Sequence, residues 1–162
     1  MAMTISTEGI EELDRILGEL KGKAMEVAKV SLYEGAAIVA DAYSAAARSI
    51  RTEPYTGKKE KRLPSPEEKA VLIGRTGIAR FKEGGGEVDT LIGVTEAAGY
   101  AYIGHTKKAV RLIARTINSG TSFMDKQPVF RKAKNAAQGA AKAAIVAKAE
   151  KMYDEIINGS GL

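Results

Sequence analysis

Apolar residues recur at every third or fourth position over most of the chain, interrupted by short polar and glycine-rich stretches. Near the start, Thr7 can cap a helix with Glu8 in its first turn, and Ile10, Leu13, Leu17 and Leu20 follow at helical spacing. Gly18 and Gly22 weaken this element and predict its end. A second, stronger helix is predicted over residues 23–50. There Met25, Ala28, Leu32, Ala36, Val39, Tyr43, Ala47 and Ile50 step by threes and fours. At 1.5 Å per residue it would be about 40 Å long.

The stretch 51–65, RTEPYTGKKEKRLPS, breaks the pattern: Pro54, Gly57 and Pro64 disfavour regular structure, and the charge run between them predicts an exposed, flexible loop. Ser65-Pro66-Glu67-Glu68 then reads as a helix start. Ser65 caps, Pro66 takes the first turn and Glu68 closes a capping box, so a short helix runs to about Ile73 and stops at Gly74.

Beyond it the period changes. IARFK (78–82), VDTLIGVT (88–95) and YAYIG (100–104) are short and rich in β-formers, and EGGGE and EAAG between them have the length and glycine content of hairpin turns. The expectation is an antiparallel meander. Residues 109–117, AVRLIARTI, return to helical spacing with Arg111 and Arg115 on the polar face. Gly120 is placed to stop that helix in a left-handed conformation. The last helix starts at Pro128, behind Asp125 or Gln127, and ends at Gly159. Its apolar face is Phe130, Ala133, Ala137, Ala141, Ile145, Ala149, Met152 and Ile156. The fold class is therefore α+β: a meander of three to four strands packed against two long Ala-rich helices, with short helices besides, in one domain spanning 1–162.

Charge is unevenly placed. Residues 1–47 hold 4 cations against 8 anions, residues 48–62 hold 6 against 2, residues 63–104 hold 4 against 6, and residues 105–162 hold 11 against 4, for a net +5. An acidic first third and basic later segments suit head-to-tail contact between copies as well as an anionic partner. There is no Cys and a single His, His105, which excludes thiolate chemistry and leaves no His-based metal site; no cofactor is expected. No apolar run approaches the ~20 residues of a membrane span, and no signal peptide is visible.

Catalytic patterns are weak. Gly84-Gly85-Gly86 lacks the phosphate-loop spacing and joins two strands. The NSGTS stretch (118–122) follows a helix, whereas a phosphate cradle precedes one. Ser119, Thr121 and Ser122 have no base at hand, and adjacent helical Glu67 and Glu68 do not face one another. The basic segments 57–62, 107–115 and 131–134 allow sequence-independent phosphate contact, with Lys58, Lys59, Lys61 and Arg62 as candidates for DNA or a partner.

One longer stretch carries more. IARTINSGTSFMDKQPVFRKA (113–133) resembles the signature segment of the minor tail and tail-completion (neck) proteins of long-tailed bacteriophages, through Ile117, Asn118, Gly120, Thr121, Pro128, Phe130 and Ala133. The helix at Gly9–Leu17, the long Ala-rich helix and Thr56-Gly57 also fit that layout. Two departures stand out: Val129 separates the proline from the aromatic, and 58–73 is longer than the family's usual link.

The resemblance implies a structural protein without enzyme activity. It would act in a homo-oligomeric ring of about six or twelve copies at the head–tail junction, a closed cyclic assembly. Partners would be other neck proteins and the tail-tube or tail-terminator protein, with passing DNA touched without regard to sequence. The place would be the virion, and the host cytoplasm during assembly. On this reading Gly120 and Thr121 shape the turn, and an exposed Phe123-Met124 pair inserts into a neighbour. Phe130 packs at an interface or hinge, or else in the plain core. Arg111 and Arg115 pair with charges on a neighbour, or else form a solvated face. A small basic nucleic-acid-binding protein is the alternative. A regulatory interaction domain or a hydrolase of unknown type stands behind it.

Overall fold

The computed structural model describes residues 8–54, 61–84, 87–94 and 99–159. The first helix, α1 (Glu8–Ser49), is a single unbroken element of 42 residues. The predicted break at Gly18 and Gly22 does not occur. Each glycine costs a helix only about 1 kcal/mol relative to alanine, and no proline is present to remove a hydrogen bond. The expected Thr7 cap lies outside the described residues.

Next comes α2 (Pro66–Arg75), with the predicted capping box. Ser65 Oγ accepts from the Glu68 amide at 3.2 Å, and Glu68 Oε2 accepts from the Ser65 amide at 3.0 Å. Six short strands follow: β1 (Gly77–Ile78), β2 (Lys82–Gly84), β3 (Glu87–Asp89), β4 (Ile92–Gly93), β5 (Tyr100–Ile103) and β6 (Thr106–Ala109). Two more helices, α3 (Val110–Ser119) and α4 (Val129–Gly159), complete the order. Helices and strands are thus mixed as expected.

The strands, however, do not form a meander. Among the described residues they make three separate antiparallel pairs, β1–β4, β2–β3 and β5–β6. The first two pairs nest into one long hairpin, with Ile78 opposite Ile92 and Lys82 opposite Asp89. Between those rungs Ala79, Arg80 and Phe81 face only Thr90 and Leu91, so one residue bulges and the ladder is interrupted. The Ala79 amide still donates to Leu91 O at 2.8 Å, and Thr90 Oγ1 donates to Ala79 O at 2.7 Å.

The third predicted strand does not join this hairpin. It pairs with β6, a segment that sequence periodicity leaves unmarked because Thr106-Lys107-Lys108 is polar and Lys is depleted in strands. Gly104, at φ 57°, takes the first of two turn positions, and His105 takes the second, exposed.

The two long helices run antiparallel. Tyr43 stacks on Phe130 with ring centroids 5.6 Å apart. Val27 and Lys23 share a cavity wall with Met152 and Ile156. Midway, Gly35 lets the backbones close in: a Cβ there would lie 2.8 Å from the Ala141 carbonyl oxygen and 2.6 Å from Ile145 Cδ1. The bulged hairpin lies along α1, with Phe81 against Tyr33 and Gly93 against Tyr43. The core sits at the far end of the helix pair, where the last turns of α1 meet α2, α3 and the start of α4. Ala47, Ile50, Leu72, Val110, Ile113, Ile117, Met124 and Phe130 are buried together there. Each large side chain among them contributes roughly 1.5–3 kcal/mol by leaving water.

Candidate functional site

The motif-bearing corner joins α3 to α4, and its residues divide into a clip and a presented tip. Ile117 is fully buried. Asn118 Oδ1 accepts from the Arg131 amide at 3.3 Å, covering an open N–H in the first turn of α4. Gly120 ends α3 at φ 74° and ψ 169°. Its φ is positive as expected, but its ψ is extended, so the stop is not the left-handed helical one predicted. The Gly120 amide donates to Thr116 O at 2.8 Å, and Thr121 Oγ1 accepts from the Phe123 amide at 3.2 Å.

Gln127 fastens the corner to the backbone just after α1. Its Oε1 accepts from the Arg51 amide at 2.9 Å, its Nε2 donates to Arg51 O at 3.0 Å, and its own amide donates to Ile117 O at 2.8 Å. Gln127 is buried, and this pairing satisfies both ends of its amide.

The tip itself differs from the expectation of an exposed Phe123-Met124 pair. Phe123 is 66% exposed, whereas Met124 is 5% exposed and belongs to the core. The cause is a neighbouring segment. Arg62 bridges to Met124 in parallel fashion, its amide donating to Phe123 O and its carbonyl accepting from the Asp125 amide, both at 3.0 Å. That pairing turns one of two adjacent side chains inward. Phe130 is buried too, stacked on Tyr43 within the same chain, as its core reading expects. The same burial raises the pKa of the Tyr43 hydroxyl.

Arg62 is likewise not a cation held ready for DNA. Its guanidinium donates to both oxygens of Glu68, at 2.9 and 3.0 Å, and to Leu63 O at 3.0 Å. With the Ser65 amide already bonded to it, Glu68 accepts a fourth hydrogen bond from Lys108, at 3.2 Å. Burial alone would raise the Glu68 pKa, but the Arg62 hydrogen bonds and charge, the Ser65 amide and Lys108 outweigh it and hold the carboxyl at about 2.

The described ends of the predicted loop are also pinned. The Glu53 amide donates to Pro64 O at 3.0 Å, the Leu63 amide donates to Glu53 Oε1 at 2.6 Å, and Lys69 Nζ donates to Ile50 O at 2.9 Å. These bonds tie the described ends of the stretch to each other and to α2, while residues 55–60 of the predicted flexible loop lie outside the described residues. Lys61 is exposed, and Lys58 and Lys59 lie outside the described residues.

A cavity of about 510 Å³ opens beside the corner. Its wall includes Tyr100, Lys107, Lys108, Arg111, Leu112 and Met124. The β5–β6 register explains what faces out. Tyr102 stands opposite Lys107 and Tyr100 opposite Ala109, while Ala101 and Ile103 turn to the core. Tyr100 and Tyr102 are 63% and 70% exposed, and Lys107 Nζ sits 5.0 Å from the centre of the Tyr100 ring. Arg111 and Leu112 continue the surface along α3, both exposed. Arg115, exposed on the same helix, lines a separate cavity of about 240 Å³ with Asn118 and Phe130.

The sequence marks 107–115 as a basic segment but does not show which of its side chains share a face with Tyr100 and Tyr102, because that depends on β5 pairing with the unmarked strand β6. Among the described residues no three His, Asp or Glu side chains gather as a metal ion would require, and no helix is long and apolar enough to cross a membrane. No family model, curated protein or solved structure matches the chain.

Proposed function

We propose that this chain is a structural component of a phage head–tail junction, assembling as a homo-oligomeric ring between neck and tail. The observation that carries the reading is the exposed Phe123 held on a corner that is tied on both sides. Asn118, Thr121, Gln127 and Arg62 fix the backbone on both sides of it. A large aromatic presented by a rigid loop loses little entropy on contact, which suits an anchor that inserts into a neighbouring subunit. The resemblance of residues 113–133 to tail-completion and neck proteins supports the same assignment, and each matched residue there has a part in shaping the corner or the core beneath it. The reading gives the chain a structural role and no reaction. Its partners are further copies, the other neck proteins and the tail-tube or terminator protein.

The test is to purify phage particles from cells that express this chain, then look for it by mass spectrometry and by cryo-electron microscopy of the junction. Stoichiometric presence in a ring at the tail's upper end is the expected result. Intact, infectious particles that lack the polypeptide would overturn the reading.

A further inference from the structure

We infer that the first three turns of α1 dock onto the Tyr100–Lys107–Arg111–Leu112 surface of a second copy of this chain. This contact rests on the assembly reading above and names the surfaces that would make it.

The first observation is an overhang. Gly35 faces Ala141 and Ile145, and Val27 and Lys23 meet Met152 and Ile156. Steps down one helix match steps up the other, so the end of α4 at Gly159 falls level with about residue 20 of α1. Residues 8–19 of α1 therefore run on, helical, for about 18 Å past the end of α4. This segment is amphipathic in sequence, with Ile10, Leu13 and Leu17 at helical spacing. It is also the most acidic part of the chain: Glu8, Glu11, Glu12, Asp14 and Glu19 stand against Arg15 alone.

The second observation is a complementary receptor at the other end of the molecule. Tyr100, Tyr102 and Leu112 are large and exposed; Tyr100 and Leu112 line the 510 Å³ cavity with Lys107 and Arg111, and Tyr102 stands opposite Lys107 in the β5–β6 ladder. Tyr and Arg are the residue types that concentrate binding energy at interfaces. An amphipathic helix laid into such a surface would bury its apolar stripe against the rings and set its carboxylates beside the cations. Overhang and receptor lie at opposite ends of the α1–α4 pair, so one copy cannot satisfy itself. The contact is head-to-tail, the heterologous kind that closes into a ring when the rotation permits.

The test uses the full-length chain in sedimentation and light-scattering dilution series at low salt, with a helical-content melt to verify folding of each variant. Lys107→Glu/Arg111→Glu and, separately, Glu11→Lys/Glu12→Lys/Asp14→Lys should each weaken self-association by roughly tenfold or more. Carrying both sets in one chain should restore it. As a second measurement on the unaltered sequence, zero-length cross-linking of mixed isotopically labelled and unlabelled protein should join Lys107 to a carboxylate of residues 8–19 between different copies. Association unchanged by either reversal, no association at any concentration, or cross-links confined to other surfaces each overturns the contact. So does a result in which Lys107→Glu/Arg111→Glu abolishes retention on duplex DNA and leaves self-association intact, which would make the surface a phosphate-binding one. These outcomes are separable from failure of the assembly reading, which depends on whether particles contain the chain.

Discussion

The Arg62 guanidinium holds both carboxylate oxygens of Glu68, at 2.9 and 3.0 Å, with the carboxylate side chain all but withdrawn from solvent. This pair joins the returning loop, the start of α2 and, through Lys108, strand β6. Removing one partner leaves the other poorly satisfied. Glu68→Gln should lower unfolding stability by about 3 kcal/mol in a denaturant titration. Arg62→Met/Glu68→Leu should cost clearly less than the sum of the two single changes, the mark of a coupled pair.

Acid should reveal the same carboxylate. Its folded pKa of about 2 lies below the ordinary 4.5. The folded state therefore favours the ionised form, and the stabilisation is fully present above the ordinary value. It fades as pH falls toward the folded one, amounting to about 3 kcal/mol over that window. Unfolding midpoints measured between about pH 5 and pH 2 should drop more steeply for the native chain than for Glu68→Gln. Parallel slopes would show that the carboxylate is not held in this way.

The tip of the corner makes a contrast between adjacent residues. Met124→Ala should cost about 2–5 kcal/mol in stability, as truncation of a buried side chain does. Phe123→Ser should shift the melting transition little, since surface changes usually fall within about 0.5 kcal/mol. On the assembly reading it should nevertheless impair ring formation, checked by light scattering. Normal assembly of a folded Phe123→Ser chain would remove Phe123 from the interface.

Ser31 is buried on α1, and among the described residues its hydroxyl has no hydrogen-bond partner. Ser31→Ala deletes an unsatisfied oxygen and adds helix propensity, so it should be neutral or stabilising by up to about 1 kcal/mol. A loss of stability in calorimetry would mean that the hydroxyl does bond in solution.

Gly120→Ala should destabilise by about 1–3 kcal/mol, because φ 74° with ψ 169° is open essentially to glycine alone. A new Cβ would also stand 3.0 Å from that of Lys126. Thermal melts beside the control Gly139→Ala, a helical position where a Cβ meets nothing, separate this local strain from a general effect of adding a methyl group.

What the sequence makes legible follows the range of the interactions involved. The capping box is read correctly because Ser65 and Glu68 lie within one turn. The buried stripe of α4 is also legible, since helical period alone selects Phe130, Ala137 and Ala141. Strand pairing is not, because β6 carries lysines whose strand conformation depends on β5 and on Glu68, forty residues earlier. The inward turn of Met124 escapes for the same reason: it is imposed by Arg62, which arrives from a loop that reads as solvated charge. Gly18 and Gly22 mislead in the opposite direction, since a weak local preference against helix is overruled by its continuation on both sides.

The near-contact at Gly35 bears on mechanics. Sliding one long helix past the other by a turn, about 5.4 Å, would bring Ser31 or Val39 opposite the Ala141 carbonyl, where only hydrogen fits. The pair therefore has one registry, and a load applied at the Phe123 end reaches the far tip undiminished by slippage. A helix pair locked in this way keeps its two ends at a fixed separation.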